Sequence, residues 1–289
     1  MVSLVATGLF RVALRDGSIA LARGDPQSGP QEVLGSDLTV DAILAGGASS
    51  LGDVVRSAPA LGPVPPGASI LPPVQSQELW AAGVTYLRSR DARAEEASDS
   101  GPYDLVYEAD RPELFLKAAG WRVRGPGDLI AIRADSEWNV PEPELTLVLA
   151  ADLIVAGYTI GNDVSSRTIE GENTLYLPQA KIYDGAASVG PCIVPADDVE
   201  QPFDISMTVV RGGDIAFTGE TSTASMRRRF DELAGYLGRA LSFPKGALLM
   251  TGTGIVPDAT FTLQDGDVVR IDVSGLGLLE NTVETVGHR

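Results

Sequence analysis

The chain has 289 residues, 44% of them hydrophobic, with 39 acidic against 22 basic residues and a formal net charge of −17. The apolar fraction suffices for a buried core, and the negative excess argues against nucleic acid or an anionic membrane as partner; only the short "MRRRF" at Met226 to Phe230 stands clear of acidic neighbours. One cysteine, Cys192, and one histidine, the penultimate His288, argue against a disulfide, a multi-cysteine or histidine-rich metal site, a Ser-His-Asp triad and a Cys-His pair, so acid–base chemistry falls to Glu, Asp, Lys or Tyr.

The start, "MVSLVATGLFRVALRDG", lacks the basic head and long apolar core of a signal peptide, and no apolar run approaches a membrane span. A cytoplasmic protein is expected. Up to about residue 60, short apolar runs ("LFRVAL", "SIALAR") alternate with turn-rich pieces, and "LTVDAILAGG" has helical character. The Pro/Gly-rich "LGPVPPGASILPPV", Leu61 to Val74, reads as an extended connector. It divides a small N-terminal α/β domain, residues 1–72, from a larger domain, residues 73–289. Next, "ELWAAGVTYLRSRDARAEEASDS" passes from apolar to charged and small residues, a composition suited to a lid over Tyr86 to Asp110.

From about Ala118 the chain becomes a succession of short strands: "DLIAIR", "ELTLVLA", "LIVAGYTIGNDVS", "VGPCIVPA", "FDISMTVVRGG", "IAFTGET". One helix interrupts them, with Ser225 or a nearby Thr as its expected N-cap and Phe230, Leu233, Leu237 and Leu241 at helical spacing. The expected fold class is mixed α/β, mainly β, with a rolled or barrel-like C-terminal domain.

Within the strands, "NVPEPELTLVL" places Glu142 and Glu144 one residue apart at the mouth of an apolar run. Side chains alternate along a strand, so both point the same way, roughly 7 Å apart along the backbone. Their repulsion is relieved by water, by protonation or by a cation between them. About twenty residues later, "YTIGNDVSSRTIEGEN" delivers Asp163 to a strand end. If the two strands are neighbours, three carboxylates form a hard oxygen site suited to Mg²⁺, Mn²⁺ or Ca²⁺. In "LYLPQAKIYDGAASVGPCIVP", Lys181 sits among apolar and aromatic residues, where desolvation would make it a proton carrier or a cation for a carboxylate or enolate.

The combination of "EPE", "GNDVSSR", "LPQAKIYDGAASVGP" and "LLMTGTGI" resembles the fumarylacetoacetate hydrolase superfamily from about Glu78 to the C-terminus. The resemblance implies a β-roll catalytic domain over residues 73–289, with a divalent metal, usually Mg²⁺, on Glu142, Glu144 and Asp163. It also implies Lys181 as the active-site lysine and Thr253 as a holder of a substrate carboxylate. Hydrolases of the superfamily carry an N-Y-x-x-H stretch whose histidine activates water; the matching "TYLRS", Thr85 to Ser89, has none. That departure, with "AAGVTY", "RSR" and "EGENTLYLPQAKIYDG", resembles the subgroup of 2-keto-3-deoxy-pentonate dehydratases. The implied reaction is dehydration of a small 2-keto acid, with Lys181 as base, Glu113 of "RPELFLK" as acid, and Tyr86, Arg88 and Ser89 lining the substrate side. Arg88 or Arg90 would hold hydroxyl or carboxylate groups. The assembly expected is a homodimer or homotetramer. The competing readings are a C–C hydrolase or decarboxylase of acylpyruvates or diketo-deoxy sugar acids, and a non-catalytic binding protein that keeps the metal site.

Overall fold

Strands dominate because β-branched and aliphatic residues come in short runs broken by Gly, Pro and Asp at turns. The structure is a computed structural model that describes residues 6–35, 37–88 and 101–288. The first part of the chain forms β1 (Gly8–Ala13), β2 (Ile19–Asp25) and β3 (Gly29–Leu34), the helices α1 (Val40–Ala45) and α2 (Ser49–Ser57), then β4 (Ala60–Pro63) and β5 (Ser69–Leu71). Helix α1 starts where Thr39 offers its hydroxyl to the Ala42 N–H, the side-chain cap that satisfies an otherwise orphan donor. The middle holds β6 (Glu78–Gly83), α3 (Gly101–Glu108), β7 (Glu113–Ala119), β8 (Leu129–Arg133), β9 (Asn139–Val140), β10 (Pro143–Leu149), β11 (Val155–Asp163), β12 (Ser165–Ser166), α4 (Arg167–Glu172), α5 (Leu177–Lys181) and β13 (Ala187–Pro195). The last part is β14 (Asp204–Arg211), β15 (Asp214–Ser222), α6 (Phe230–Leu237), β16 (Ala247–Met250), β17 (Val268–Val273) and β18 (Gly277–Val286).

The fold is mainly β, as expected. One large sheet runs β4-β3-β2-β1-β13-β11-β10-β16-β6-β7, with β5 on β1; a five-stranded sheet runs β15-β14-β17-β18-β8. Strand β10 lies near the middle of the first and is buried along its whole length. Its Leu145, Leu147 and Leu149 point into one core with Ile205, Met207 and Val209 of β14 and Ile271 of β17. On the opposite face, Val148 packs with Leu44 and Leu51 of the α1–α2 pair and Leu79 of β6. A strand covered on both faces reads as a continuous apolar run, and each buried leucine contributes about 1.5–3 kcal/mol.

Helix α6 differs from expectation at both ends. Its N-cap is Arg229, whose backbone N–H donates to the Glu232 side chain, while Ser225 belongs to a preceding 3₁₀ turn. Leu241 falls outside the helix and is exposed. Gly238 ends the helix against Leu153, where a Cβ would come within 2.1 Å of the Leu153 Cδ1.

Candidate active site

Strands β10 and β11 are antiparallel neighbours with Glu144 opposite Gly161 and Pro143 opposite Asn162. This register brings the start of one strand beside the end of the other. The Asp163 N–H donates to the Glu142 carbonyl at 3.0 Å. One carboxylate oxygen from each of Glu142, Glu144 and Asp163 lies within 4.8 Å of the others, and all three residues are buried.

Burial of so much negative charge requires compensation. Lys181, at the end of α5, donates from Nζ to Glu142 Oε2 at 2.6 Å, Asp163 Oδ2 at 3.0 Å and the Ser165 hydroxyl at 2.6 Å. Lys117 of β7 sits 2.5 Å from Asp163 Oδ1 and donates to the carbonyls of Val164 and Lys181. Arg167 opens α4 and forks between Glu142 Oε1 at 2.7 Å and Glu170 Oε2 at 2.9 Å. Among the described residues no ion pair reaches Glu144, whose carboxylate accepts the Gly252 N–H. Burial, then the charges of Asp163 and Glu142, push the Glu144 carboxyl well above the usual carboxylate range. Burial acts the same way on Asp163, but Lys117 and Lys181 outweigh it and hold that group below its ordinary value. Burial lowers Lys117 despite its Asp163 partner. The unmet charge is thus concentrated at Glu144, on the all-oxygen face that a hard divalent cation takes. Glu142, Glu144 and Asp163 fit such an ion.

These carboxylates open on a cleft lined further by Glu113, Phe115, Glu170, Leu177, Lys181 and Thr253. Glu113 opens β7 directly opposite Gly83 of β6. A Cβ at Gly83 would lie 2.0 Å from Glu113 Oε2, so the glycine leaves the space the carboxylate occupies. Thr253 is buried in the loop after β16, its hydroxyl accepting the Ile255 N–H at 3.1 Å. Tyr86 is buried close enough to Glu144 for that charge to add to burial in raising its phenol. Neither Tyr86 nor Arg88 lines the cleft, and Arg88 is exposed. Ser89 and Arg90, with the rest of residues 89–100 of the proposed lid, lie outside the described residues; residues 101–108 are α3.

Lys117, Arg167 and Glu170 were not singled out from the sequence. A signal existed for the first, since Glu113, Phe115 and Lys117 recur every second residue and share one strand face. Removing the Lys117 cation takes one of two cations from Asp163 and leaves two buried carbonyls without that donor. Lys117→Met is therefore expected to destabilise the fold by about 3–5 kcal/mol, read from the shift in the urea midpoint at unchanged slope.

Residues 80–284 match the family model described as fumarylacetoacetate (FAA) hydrolase C-terminal. The chain is 53% identical over 216 residues, 74% of each protein, to a probable 2-keto-3-deoxyxylonate dehydratase of Haloferax volcanii. It is 44% identical over 221 residues, again 74% of each, to the 2-dehydro-3-deoxy-D-arabinonate dehydratase of Saccharolobus solfataricus. A solved 2-keto-3-deoxy-D-arabinonate dehydratase in complex with magnesium and 2,5-dioxopentanoate superposes with a TM-score of 0.82 at 34% identity, over 97% of this chain and 99% of that one.

Proposed function

The chain belongs to the fumarylacetoacetate hydrolase family, and from that premise we propose that it is a Mg²⁺-dependent hydro-lyase converting a 2-keto-3-deoxy-pentonate, arabinonate or xylonate, to 2-oxoglutarate semialdehyde (2,5-dioxopentanoate). The observation that carries the reading is the buried Glu142–Glu144–Asp163 group with Lys181 on two of its members and Glu113 in the same cleft. It is supported by the two dehydratases to which the chain is 53% and 44% identical, and by the magnesium in the solved relative.

When bound to Glu142, Glu144 and Asp163, the cation supplies a Lewis acid for the C1 carboxylate and C2 ketone of the substrate, which acidifies C3. Lys181 takes the C3 proton. Its Nζ lies against Glu142 and Asp163, beside the face that would hold the cation, and in its neutral form it would accept that proton. Glu113 protonates the departing C4 hydroxyl, which leaves as water. One proton then moves from C5 to C3 and one from the C5 hydroxyl to C4, turning the unsaturated ketone into the saturated 2-keto aldehyde, one water lighter than the substrate and at the same oxidation level. Thr253, which lines the cleft, holds the substrate carboxylate. Because every one of these residues lies beyond residue 72, we assign residues 73–289 as the catalytic domain and 1–72 as the small N-terminal domain. The same reading makes the protein a cytoplasmic homodimer or homotetramer, with exposed apolar side chains such as Leu61, Trp121 and Leu175 as support for self-association; sedimentation of the purified protein tests the assembly.

The deciding experiment is a panel of 2-keto-3-deoxy acids and acylpyruvates, with Mg²⁺ and with chelator, read by product mass. Dehydration needs no attacking water, and no histidine lines the cleft among the described residues. A product one water lighter is expected from a keto-deoxy-pentonate with Mg²⁺ only, and little acylpyruvate cleavage. Rapid acylpyruvate hydrolysis with no dehydration of any keto-deoxy acid would restore the hydrolase reading. A narrower test uses Gly83→Ala, whose added methyl meets the end of a flexible side chain and so moves the Glu113 carboxylate while sparing the fold. We expect about a 10²-fold fall in kcat, the cost of a misplacement near 1 Å, with an unchanged Tm.

A further inference from the structure

The basic stretch Met226–Phe230 has no part in the reaction just described, yet one of its charges is buried. Arg228 is only 8% exposed. Its guanidinium donates to the carbonyls of Val106 at 3.2 Å, Ala109, and Asp110 at 3.1 Å, and to the Glu232 carboxylate at 2.6 Å. Arg227 donates to the carbonyls of Tyr107 and Glu108 and pairs with the Glu108 carboxylate at 2.9 Å. Helix α3 ends here. The last carbonyls of a helix have no partner within it, and they carry the negative end of the helix dipole. A planar, permanently charged fork can meet several of them at once, where an ammonium offers a single point.

The same residues grip the chain at a second place. Met226 forms an isolated β-bridge with Tyr86, and the Arg227 N–H donates to the Thr85 carbonyl at 3.0 Å. Thr85 in turn donates from its hydroxyl to the Thr251 carbonyl at 2.6 Å, next to the Gly252 that holds Glu144. So three consecutive residues fasten both the stretch leaving β6 and the stretch entering β7. From Asp110 only Arg111 and Pro112 remain before Glu113. Arg111 lies 5.7 Å from the Tyr236 ring of α6, and Pro112 has a restricted φ, so little slack separates the clasp from the carboxylate in the cleft.

We propose that Arg228 is a positioning residue for the reaction: by holding the carbonyls that end α3 while Met226 and Arg227 hold Tyr86 and Thr85, it sets the place of Glu113 opposite Gly83. The role rests on the functional reading above for its effect on turnover, but its effect on the chain does not depend on that reading.

The test compares full-length Arg228→Ala and Arg228→Lys with an Arg229→Ala control, since among the described residues the Arg229 guanidinium meets Asp231 on the surface. The readouts are kcat and KM for the keto-deoxy acid, Mg²⁺ affinity by calorimetry, Tm, and hydrogen exchange of residues 106–117. We expect Arg228→Ala to lose about 10²-fold in kcat, with KM and Mg²⁺ affinity nearly unchanged, and to exchange faster over residues 106–117. Millimolar guanidinium should restore part of the kcat, Lys should not, and Arg229→Ala should match the parent. Retained kcat in Arg228→Ala would overturn the proposal, as would a loss that merely tracks the folded fraction and is not recovered by guanidinium. If the parent dehydrates none of the panel, the functional reading fails, and exchange decides the clasp alone: faster exchange over residues 106–117 in Arg228→Ala supports it, and parental exchange rejects it.

Discussion

Glu142→Gln, Glu144→Gln and Asp163→Asn are each expected to abolish Mg²⁺ binding in the micromolar to millimolar range and to cut turnover by about 10³-fold or more, the several kcal/mol that a Lewis acid supplies. All three substitutions keep the shape of the side chain and remove one charge, so the fold should persist. Their effects on the metal-free protein should differ in sign. Glu142 serves Arg167 and Lys181, and Asp163 serves Lys117 and Lys181; neutralising either leaves buried cations short of a partner and lowers stability. Glu144 is pushed upward by burial and by its two carboxylate neighbours and, among the described residues, receives the Gly252 N–H and no cation, so Glu144→Gln removes repulsion. It should be as stable as the parent without metal, or more so. The parent alone should then gain stability as Mg²⁺ is added, by the amount that mass action dictates. Thermal unfolding with and without Mg²⁺, beside calorimetry, measures both effects. Full activity of any two variants in metal-depleted buffer would remove the metal from the mechanism.

Lys181→Met is expected to lower kcat by about 10²–10⁴-fold, the range for loss of a positioned proton carrier. Mg²⁺ binding should survive and tighten. In the structure the ammonium lies between Glu142 and Asp163, so it draws on two of the carboxylates that would hold the cation, and an apolar side chain of similar length ends that competition. This separates Lys181 from the three carboxylates: they should lose activity with the metal, whereas Lys181→Met should lose activity and keep it. Exchange of the substrate C3 hydrogens with solvent deuterium, followed by mass, reports the base directly. Parent protein should exchange them and Lys181→Met should not. Exchange undiminished in Lys181→Met would assign the base to another group, with Glu113 the next to test.

The alternation of Glu142 and Glu144 on one strand face, the strand end at Asp163 and the lysine set among apolar residues are local features, and they were legible because strand geometry alone places side chains with a period of two. The mainly β fold was legible for the same reason, from short aliphatic runs between turn residues. Helix α6 was legible in its body and not at its ends, since the Arg229–Glu232 cap and the stop at Gly238 against Leu153 depend on contacts outside the helix. Lys117 lies on β7, which the sheet order β11-β10-β16-β6-β7 carries to Asp163, and Arg167, close to Asp163 in the chain, meets Glu142 because β10 pairs with β11. Arg228 likewise reads as surface charge until the end of α3 lies across it. Whether a charged residue is buried is decided by what meets it, because burial is costly unless cations, carboxylates or backbone groups arrive together. Those partners come from distant parts of the chain, so local pattern determined which groups are available to react, and tertiary structure determined which of them are held in one place.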